Sequence, residues 1–278
     1  MFTETFQSIV TATRQLFRNW QSTLMLAAIY AALLATLYFF ATLREASIAQ
    51  VILTFALAIT APILFFELQA LSANGTSELK PRSLFKKSLS DSWRLVLITL
   101  PVIALAVLAV YLLGKIQAHF GAGVKPATEL YDPYPMATMA QAQTAAGKQP
   151  VNWRIATVTS IRFLVLGLAL PLALIHLWIA TVQTGVGTTI RQAKDNIARA
   201  FAPQSVLIYM SGLVVFGVIP YLLLFKATPT KHAWLELASF VGRLAVVFGL
   251  TLFDWVITMG ALSISRKKSL QVPAKDEM

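Results

Sequence analysis

The sequence of 278 residues contains no cysteine, only three histidines and few charged side chains. The absence of cysteine excludes disulfides, thiolate metal centres, iron–sulfur clusters and cysteine nucleophiles. Three histidines are too few for a conventional imidazole-rich metal site, so we predict no metal and no cofactor. The motifs G-x-G-x-x-G, G-x-x-x-x-G-K-[ST], H-E-x-x-H and C-x-x-C are also missing from the chain. We therefore expect no enzymatic activity.

The overall composition excludes a water-soluble domain. Charged residues make up 13% of the chain and hydrophobic residues 57%. Soluble domains have about 25% charged and about 45–50% apolar residues. Intrinsic disorder is excluded as well, because disordered chains are poor in hydrophobic residues. The composition predicts an all-α integral membrane protein that crosses the bilayer several times.

Long apolar runs define the membrane domain. A helix needs about 20 apolar residues to cross a hydrocarbon core of about 30 Å. Six segments meet this length and form one predicted domain over 22–265. The predicted spans are 22–43, 47–71, 95–114, 162–182, 205–225 and 237–264.

The distribution of Lys and Arg predicts the orientation. With both termini in the cytoplasm, the inner segments carry fourteen of these residues and the outer segments seven. This excess favours an N-in, C-in topology in the bacterial cytoplasmic (inner) membrane. The net charge of +11 is therefore assigned to anionic lipid headgroups, and no nucleic-acid partner is expected.

Amphipathic segments flank the spans on the predicted inner side. Residues 1–21 are predicted to form an interfacial helix whose apolar face carries Phe2, Phe6, Ile9, Val10, Leu16, Phe17 and Trp20. Helices are also predicted after Pro81 and over 187–202, and residues 266–278 form a basic tail. The cations expected to face lipid headgroups are Lys80, Arg82, Lys86, Lys87, Arg191, Lys194, Arg199, Arg266, Lys267 and Lys268. On the outer side, residues 115–157 form a long loop rich in Ala, Gly and Pro.

The run SLSDSWRLVL over 88–97 continues a basic amphipathic helix through Trp93-Arg94 into an apolar span. It resembles a loose group of uncharacterised bacterial multi-pass proteins related to the membrane domain of some glycerophosphodiester phosphodiesterases. The resemblance covers the second-to-third and fourth-to-fifth hairpins. The catalytic domain of those enzymes has no counterpart here, so the resemblance implies neither an activity nor a site.

Ionisable residues inside spans are functional candidates by default. The candidates are Asp254, His176 and Glu67. We expect Glu67 to partner the neighbouring basic hairpin tips. For Asp254, the alternatives are a hydrogen bond or ion pair, with His176 as a candidate partner, and a role in ion, proton or substrate transfer. His176 is also a candidate axial ligand for haem or chlorophyll. Ser211, His176 and Asp254 fall at similar predicted depths, as a serine nucleophile with a histidine base and an orienting aspartate would require.

Three functional hypotheses fit this sequence. The first is a non-enzymatic accessory or scaffold subunit that binds other membrane proteins. The alternative is a small transporter or lipid-handling protein with a polar site near Asp254 and His176. A second alternative is a haem- or chlorophyll-associated subunit that uses His176.

Overall fold

The apolar segments form long helices in a computed structural model of the chain, which describes residues 2–43, 47–74, 81–121, 153–225 and 233–271. The described part is helical and contains no strand. Five of its helices are long and apolar enough to cross a membrane: Trp20–Thr42, Ile48–Asn74, Arg82–Phe120, Trp153–Thr184 and Trp234–Lys267. The chain is therefore an all-α, multi-pass membrane protein.

The first four helices follow the predicted order, and α3 and α4 are longer than the predicted spans. They are α1 (Phe2–Arg18), α2 (Trp20–Thr42), α3 (Ile48–Asn74) and α4 (Pro81–Gly121). Pro81 begins α4 as the sequence indicates, and the helix then runs without a break through the predicted span. The basic segment after Pro81 is thus the first part of a transmembrane helix, and the start of the predicted outer loop is helical to Gly121.

The next segments contain two π-helical turns. Helix α5 (Trp153–Phe163) continues through the π turn Leu164–Ala169 into α6 (Leu170–Thr184). Gly185 follows with φ of 86°, a conformation that favours glycine. Residues 187–202 are predicted as one amphipathic helix, but Gln192 interrupts them, giving α7 (Val186–Arg191) and α8 (Ala193–Ala200).

The predicted fifth span is also divided. Pro203 occupies the first turn of α9 (Pro203–Leu213), which leads through the π turn Val214–Val218 into α10 (Ile219–Phe225). The last helix, α11 (Ala233–Gln271), includes the predicted sixth span and the first residues of the predicted basic tail. Residues 122–152 of the outer loop, Lys80 and the end of the tail lie outside the described residues.

The chain divides into two compact units, and the first comprises Met1–Leu100 and Leu172–Met278. Its apolar core joins α1, α2, α3, α4 and α11 through Leu16, Leu26, Leu33, Leu68, Leu71, Leu84, Leu252 and Val256. Hydrogen bonds place the ends of several helices together. Ser88 of α4 bonds Glu67 near the end of α3, and Gln183 near the end of α6 bonds Ser263 near the end of α11. These ends therefore share one side of this unit.

Helix α1 packs against α11, and of the apolar residues that the sequence assigns to its interfacial face, Leu16 is buried while Phe6 and Phe17 are exposed. The buried residues of α1 are Thr5, Ser8, Ala12 and Leu16. Phe6 and Phe17 remain 67% and 68% exposed. Helix α1 meets α11 through small residues, with Ala12 seated on Gly260, and the predicted interfacial position of its aromatic face stays a prediction. The exposed aromatic side chains form a separate face of the helix.

The second unit, Pro101–Pro171, carries cations over aromatic rings. The Lys115 ammonium lies 4.9 Å from the centre of the Tyr111 ring, and the Arg154 guanidinium lies 6.0 Å from that of Phe120. Cation–π contacts of this kind stabilise positive charge beside apolar surface.

Candidate functional site

Glu67 is buried between α3 and α4. Ser88 Oγ donates a hydrogen bond to Glu67 Oε1 at 2.5 Å. Glu67 Oε2 is buried and accepts no hydrogen bond from the described residues. The described partner of Glu67 is the hydroxyl of Ser88, which belongs to the predicted basic hairpin tip but is not one of its cations.

A second buried carboxylate, Asp91, takes the interactions that the sequence assigned to Glu67. Asn74 Nδ2 donates to Asp91 Oδ2 at 3.2 Å and also to the carbonyl oxygen of Ala70. Arg94 donates to Asp91 Oδ1 at 3.3 Å. Asp91 was missed because hydropathy places it in a surface helix. The only signal in the sequence was its spacing of three residues from Arg94.

His176 lies near the middle of α6, and its side chain is buried. Its Nε2 is 3.2 Å from Ser205 Oγ, and Ser205 Oγ donates its proton to the carbonyl oxygen of Arg199 at 3.1 Å. A hydroxyl has one proton, so Nε2 of His176 is the donor to Ser205. A haem or chlorophyll metal at this nitrogen would have to displace Ser205.

Asp254 of α11 is half-buried, and its Oδ2 is buried without a hydrogen-bond partner among the described residues. The considered contact between Asp254 and His176 is absent from the described hydrogen bonds: Nε2 of His176 faces Ser205, and its Nδ1 is buried without a described partner. Ser211 Oγ donates to the carbonyl oxygen of Ile208 at 2.8 Å. The structure does not bring Ser211, His176 and Asp254 into a hydrogen-bonded set.

We predict that Asp254→Asn leaves the fold stable. The substitution changes one atom and removes no described hydrogen bond, so we expect the free energy of unfolding to change by less than about 0.5 kcal/mol. Thermal unfolding in detergent micelles measures this change. A loss of several degrees in the melting temperature would mean that the carboxylate has a structural partner.

A cavity of about 330 Å³ lies within the first unit, between α2, α3, α9 and α11. Its walls are formed by apolar and aromatic side chains with a few hydroxyl and amide groups. The lining residues are Tyr30, Leu33, Phe65, Leu68, Gln69, Tyr209, Gly212, Leu213, Thr251, Leu252, Trp255 and Thr258. Largely apolar walls with few polar groups are typical of small-molecule sites. Neither Asp254 nor His176 is among these residues.

Two hydrogen bonds join the walls of the cavity across helices. The Tyr30 hydroxyl lies 2.7 Å from Thr251 Oγ1, and Trp255 Nε1 donates to Gln69 Oε1 at 2.8 Å. Sequence reasoning missed Tyr30, Gln69 and Thr258. Gln69 is an uncharged polar residue inside an apolar span, and that was a signal. Tyr30 and Thr258 had none, because tyrosine and threonine are common in membrane helices.

The predicted headgroup-facing cations differ in how much of each side chain is exposed. The side chains of Arg82, Lys86, Lys87, Arg191, Lys194 and Lys267 are exposed, and Arg199 is half-buried. Arg266 is 5% exposed, so its predicted headgroup-facing position was wrong. Helix α11 continues past the apolar span and keeps Arg266 on the same side as the buried Leu262. Lys80 and the side chain of Lys268 lie outside the described part of the chain.

No family model, no curated protein and no solved structure matches this chain. The resemblance of residues 88–97 to the membrane domain of glycerophosphodiester phosphodiesterases therefore stays a prediction. The candidate site rests on the geometry of the cavity.

Proposed function

We propose that this protein is a lipid-handling or small-transport protein of the bacterial inner membrane that binds a hydrophobic ligand in the cavity between α2, α3, α9 and α11. The observation that carries the proposal is the cavity itself, with about 330 Å³ of space lined mainly by apolar side chains. An engineered apolar cavity of about 150 Å³ binds benzene. The larger cavity has room for about twice that hydrocarbon.

The proposed topology has six spans, with both termini in the cytoplasm. Five of these spans are the long apolar helices described above. The remaining one, the fifth along the chain, is the path through α9 and α10, which the π turn divides into two shorter helices. The side of the first unit that carries the ends of α3, α6 and α11 would then face the cytoplasm. Exposed cations on α4, α7 and α8 support this orientation, because the inner leaflet is rich in anionic lipids.

We expect Leu33→Trp to abolish ligand binding by filling the cavity. Leu33 lines the cavity and is 6% exposed, so a larger side chain has only the cavity to enter. The protein is reconstituted in nanodiscs with a photoreactive 12-carbon hydrocarbon carrying a diazirine, and the labelled peptides are mapped by mass spectrometry. Labelling of the cavity walls should fall at least about tenfold in the variant.

Leu37→Trp provides the matched control. Leu37 lies one turn further along α2 and is 45% exposed, so the same substitution there leaves the cavity unchanged. We expect wild-type labelling in this variant. Equal labelling of the wild-type protein and Leu33→Trp would contradict the proposal.

The accessory-subunit hypothesis is the second candidate, and the exposed lateral surface of the helices favours it. In α2, α3 and α4, less than a fifth of the most apolar part of each helix is buried within the chain. Lipid or partner helices cover such surfaces in a membrane. Stoichiometric recovery with other membrane subunits after mild-detergent purification from native membranes would support this function. Recovery with lipid alone would count against it.

A further inference from the structure

We propose that the ligand is a single acyl chain ending in an uncharged carbonyl group, with its carbonyl oxygen hydrogen-bonded to Gln69 and Thr258. This inference rests on the proposed function, since it names the ligand of the same cavity. The polar atoms of the cavity wall indicate this ligand, because some of them have hydrogen-bond partners within the protein and others do not.

The side-chain orientation of Gln69 is set by Trp255. An indole nitrogen only donates, so the atom of Gln69 that faces Trp255 Nε1 is the amide oxygen. The amide nitrogen of Gln69 is therefore directed elsewhere, and it donates no hydrogen bond to the described residues. Gln69 is 2% exposed and lines the cavity. A buried amide with two unused protons favours an acceptor in the cavity.

Thr258 supplies a second donor near the same end. It lies one turn beyond Trp255 on α11, lines the cavity and is 5% exposed. Its hydroxyl has no hydrogen-bond partner in the part of the chain that the structure describes. Thr258 lies three residues from Trp255, the hydrogen-bond partner of Gln69, so we place both donors at the same end of the cavity.

The described hydroxyl groups at the level of Thr251, those of Thr251 and Tyr30, already have hydrogen-bond partners. Thr251 Oγ1 donates to backbone carbonyl oxygens of its own helix, so the proton between it and Tyr30 belongs to the Tyr30 hydroxyl. Both hydroxyl protons are thus used within the protein. Thr251 lies about 10 Å from Thr258 along α11. Around it the walls are apolar, with Leu33, Phe65 and Leu213.

This arrangement matches an amphiphile with one polar end. The donors are uncharged, and no Lys or Arg is among the described residues that line the cavity. A carbonyl oxygen accepts hydrogen bonds from neutral donors, whereas a phosphate or carboxylate would enter without a compensating cation. The remaining hydrocarbon would extend along the apolar walls. An acyl ester therefore fits better than a free alkane or an anionic headgroup.

The test compares two photoreactive probes in nanodiscs. One is the methyl ester of a 12-carbon fatty acid with a mid-chain diazirine, and the other is the matching hydrocarbon without the ester. We expect the ester to label cavity peptides at concentrations about fivefold or more below those of the hydrocarbon. Thr258→Val should reduce this advantage, and addition of Gln69→Met should abolish it. Hydrocarbon labelling should stay within about twofold of wild type in both.

Thr251→Val is the matched control, because it removes a hydroxyl of the same cavity whose proton is already used. Ester labelling should stay within about twofold of wild type in that variant. Thr258→Ser should restore ester binding, which separates loss of the hydroxyl from loss of folding. Equal labelling by ester and hydrocarbon, or ester labelling unaffected in Thr258→Val, would overturn the inference. If either of these results is found but labelling by both probes disappears in Leu33→Trp, the inference fails and the proposed function stands. Absence of cavity labelling by either probe overturns both.

Discussion

Gly260→Leu is expected to release α1 from α11 and to lower the free energy of unfolding by about 2–3 kcal/mol. A Cβ atom at Gly260 would lie 3.2 Å from the Cβ of Ala12, which is closer than ordinary van der Waals contact. Leucine adds three further carbon atoms in the same direction. The backbones of α1 and α11 would have to separate, and the contacts of Ser8 and Leu16 would be lost with them.

Two measurements report on this release. Thermal unfolding in detergent micelles should show a melting temperature several degrees below that of the wild type. Limited proteolysis with trypsin should cleave after Arg14, which is exposed on α1, at a higher rate in the variant. The increase is expected because a released helix unfolds locally, and its extended backbone can then bind in the active site of the protease.

Gly242→Leu is the control for this prediction. Gly242 lies on the same helix, and nothing lies within 4 Å of a Cβ atom placed there. The helix gains the same side chain without a clash, so stability and trypsin cleavage should match the wild type. If Gly260→Leu behaved like Gly242→Leu, the close packing of α1 on α11 would be disproved.

Asp91→Ala is expected to lower the free energy of unfolding by about 2 kcal/mol. The carboxylate is buried and accepts hydrogen bonds from Asn74 and Arg94. Its removal leaves the buried amide of Asn74 with the Ala70 carbonyl as its remaining described partner. The contact joins the end of α3 to the first turns of α4, so the hairpin between these helices should loosen first.

A double-mutant cycle with Asn74→Ala isolates the interaction from the other effects of each substitution. We expect the two losses in stability to be less than additive, with a coupling energy of about 1 kcal/mol. Asp195→Ala serves as a control because Asp195 is an exposed acidic residue on α8. Additive losses, or equal losses from Asp91→Ala and Asp195→Ala, would show that the Asn74–Asp91 contact does not hold the hairpin.

The contact between α1 and α11 leaves the aromatic face of α1, with Phe6 and Phe17, exposed. Only Asn19 separates α1 from the first residue of α2, the first transmembrane helix. The interfacial position that the sequence predicts for α1 would set the face that carries Phe6 and Phe17 toward the bilayer surface while Ala12 packs on α11. Interfacial helices bind bilayers through such apolar faces.

The sequence was sufficient to predict the helical membrane class and the regions of the helices. Span prediction depends on a local property, the mean hydropathy of about twenty consecutive residues, and this property is contained in the sequence. It located the five helices that the structure shows to be long and apolar enough to cross a membrane. It also predicted the beginning of α4 at Pro81, from the fixed φ angle of proline.

The sequence was less informative about helix ends and helix faces. Hydropathy ended the third span at Gly114, but α4 continues to Gly121 because backbone hydrogen bonding does not require apolar side chains. The aromatic side chains of α1 predicted a face for the membrane interface, but they gave no information about which residues pack on α11. In a membrane, close backbone approach favours small residues such as Ala12 and Gly260 over bulky ones.

Only the tertiary structure determined the candidate site. The cavity depends on pairs such as Tyr30 with Thr251 and Gln69 with Trp255, which lie 221 and 186 positions apart in the chain. Tyr, Thr and Gln have no pattern that identifies such partners in advance. Asp254 and His176 were predictable as rare ionisable residues in apolar spans. Which polar groups meet a cavity, and which have protons still available, depends on how the helices pack.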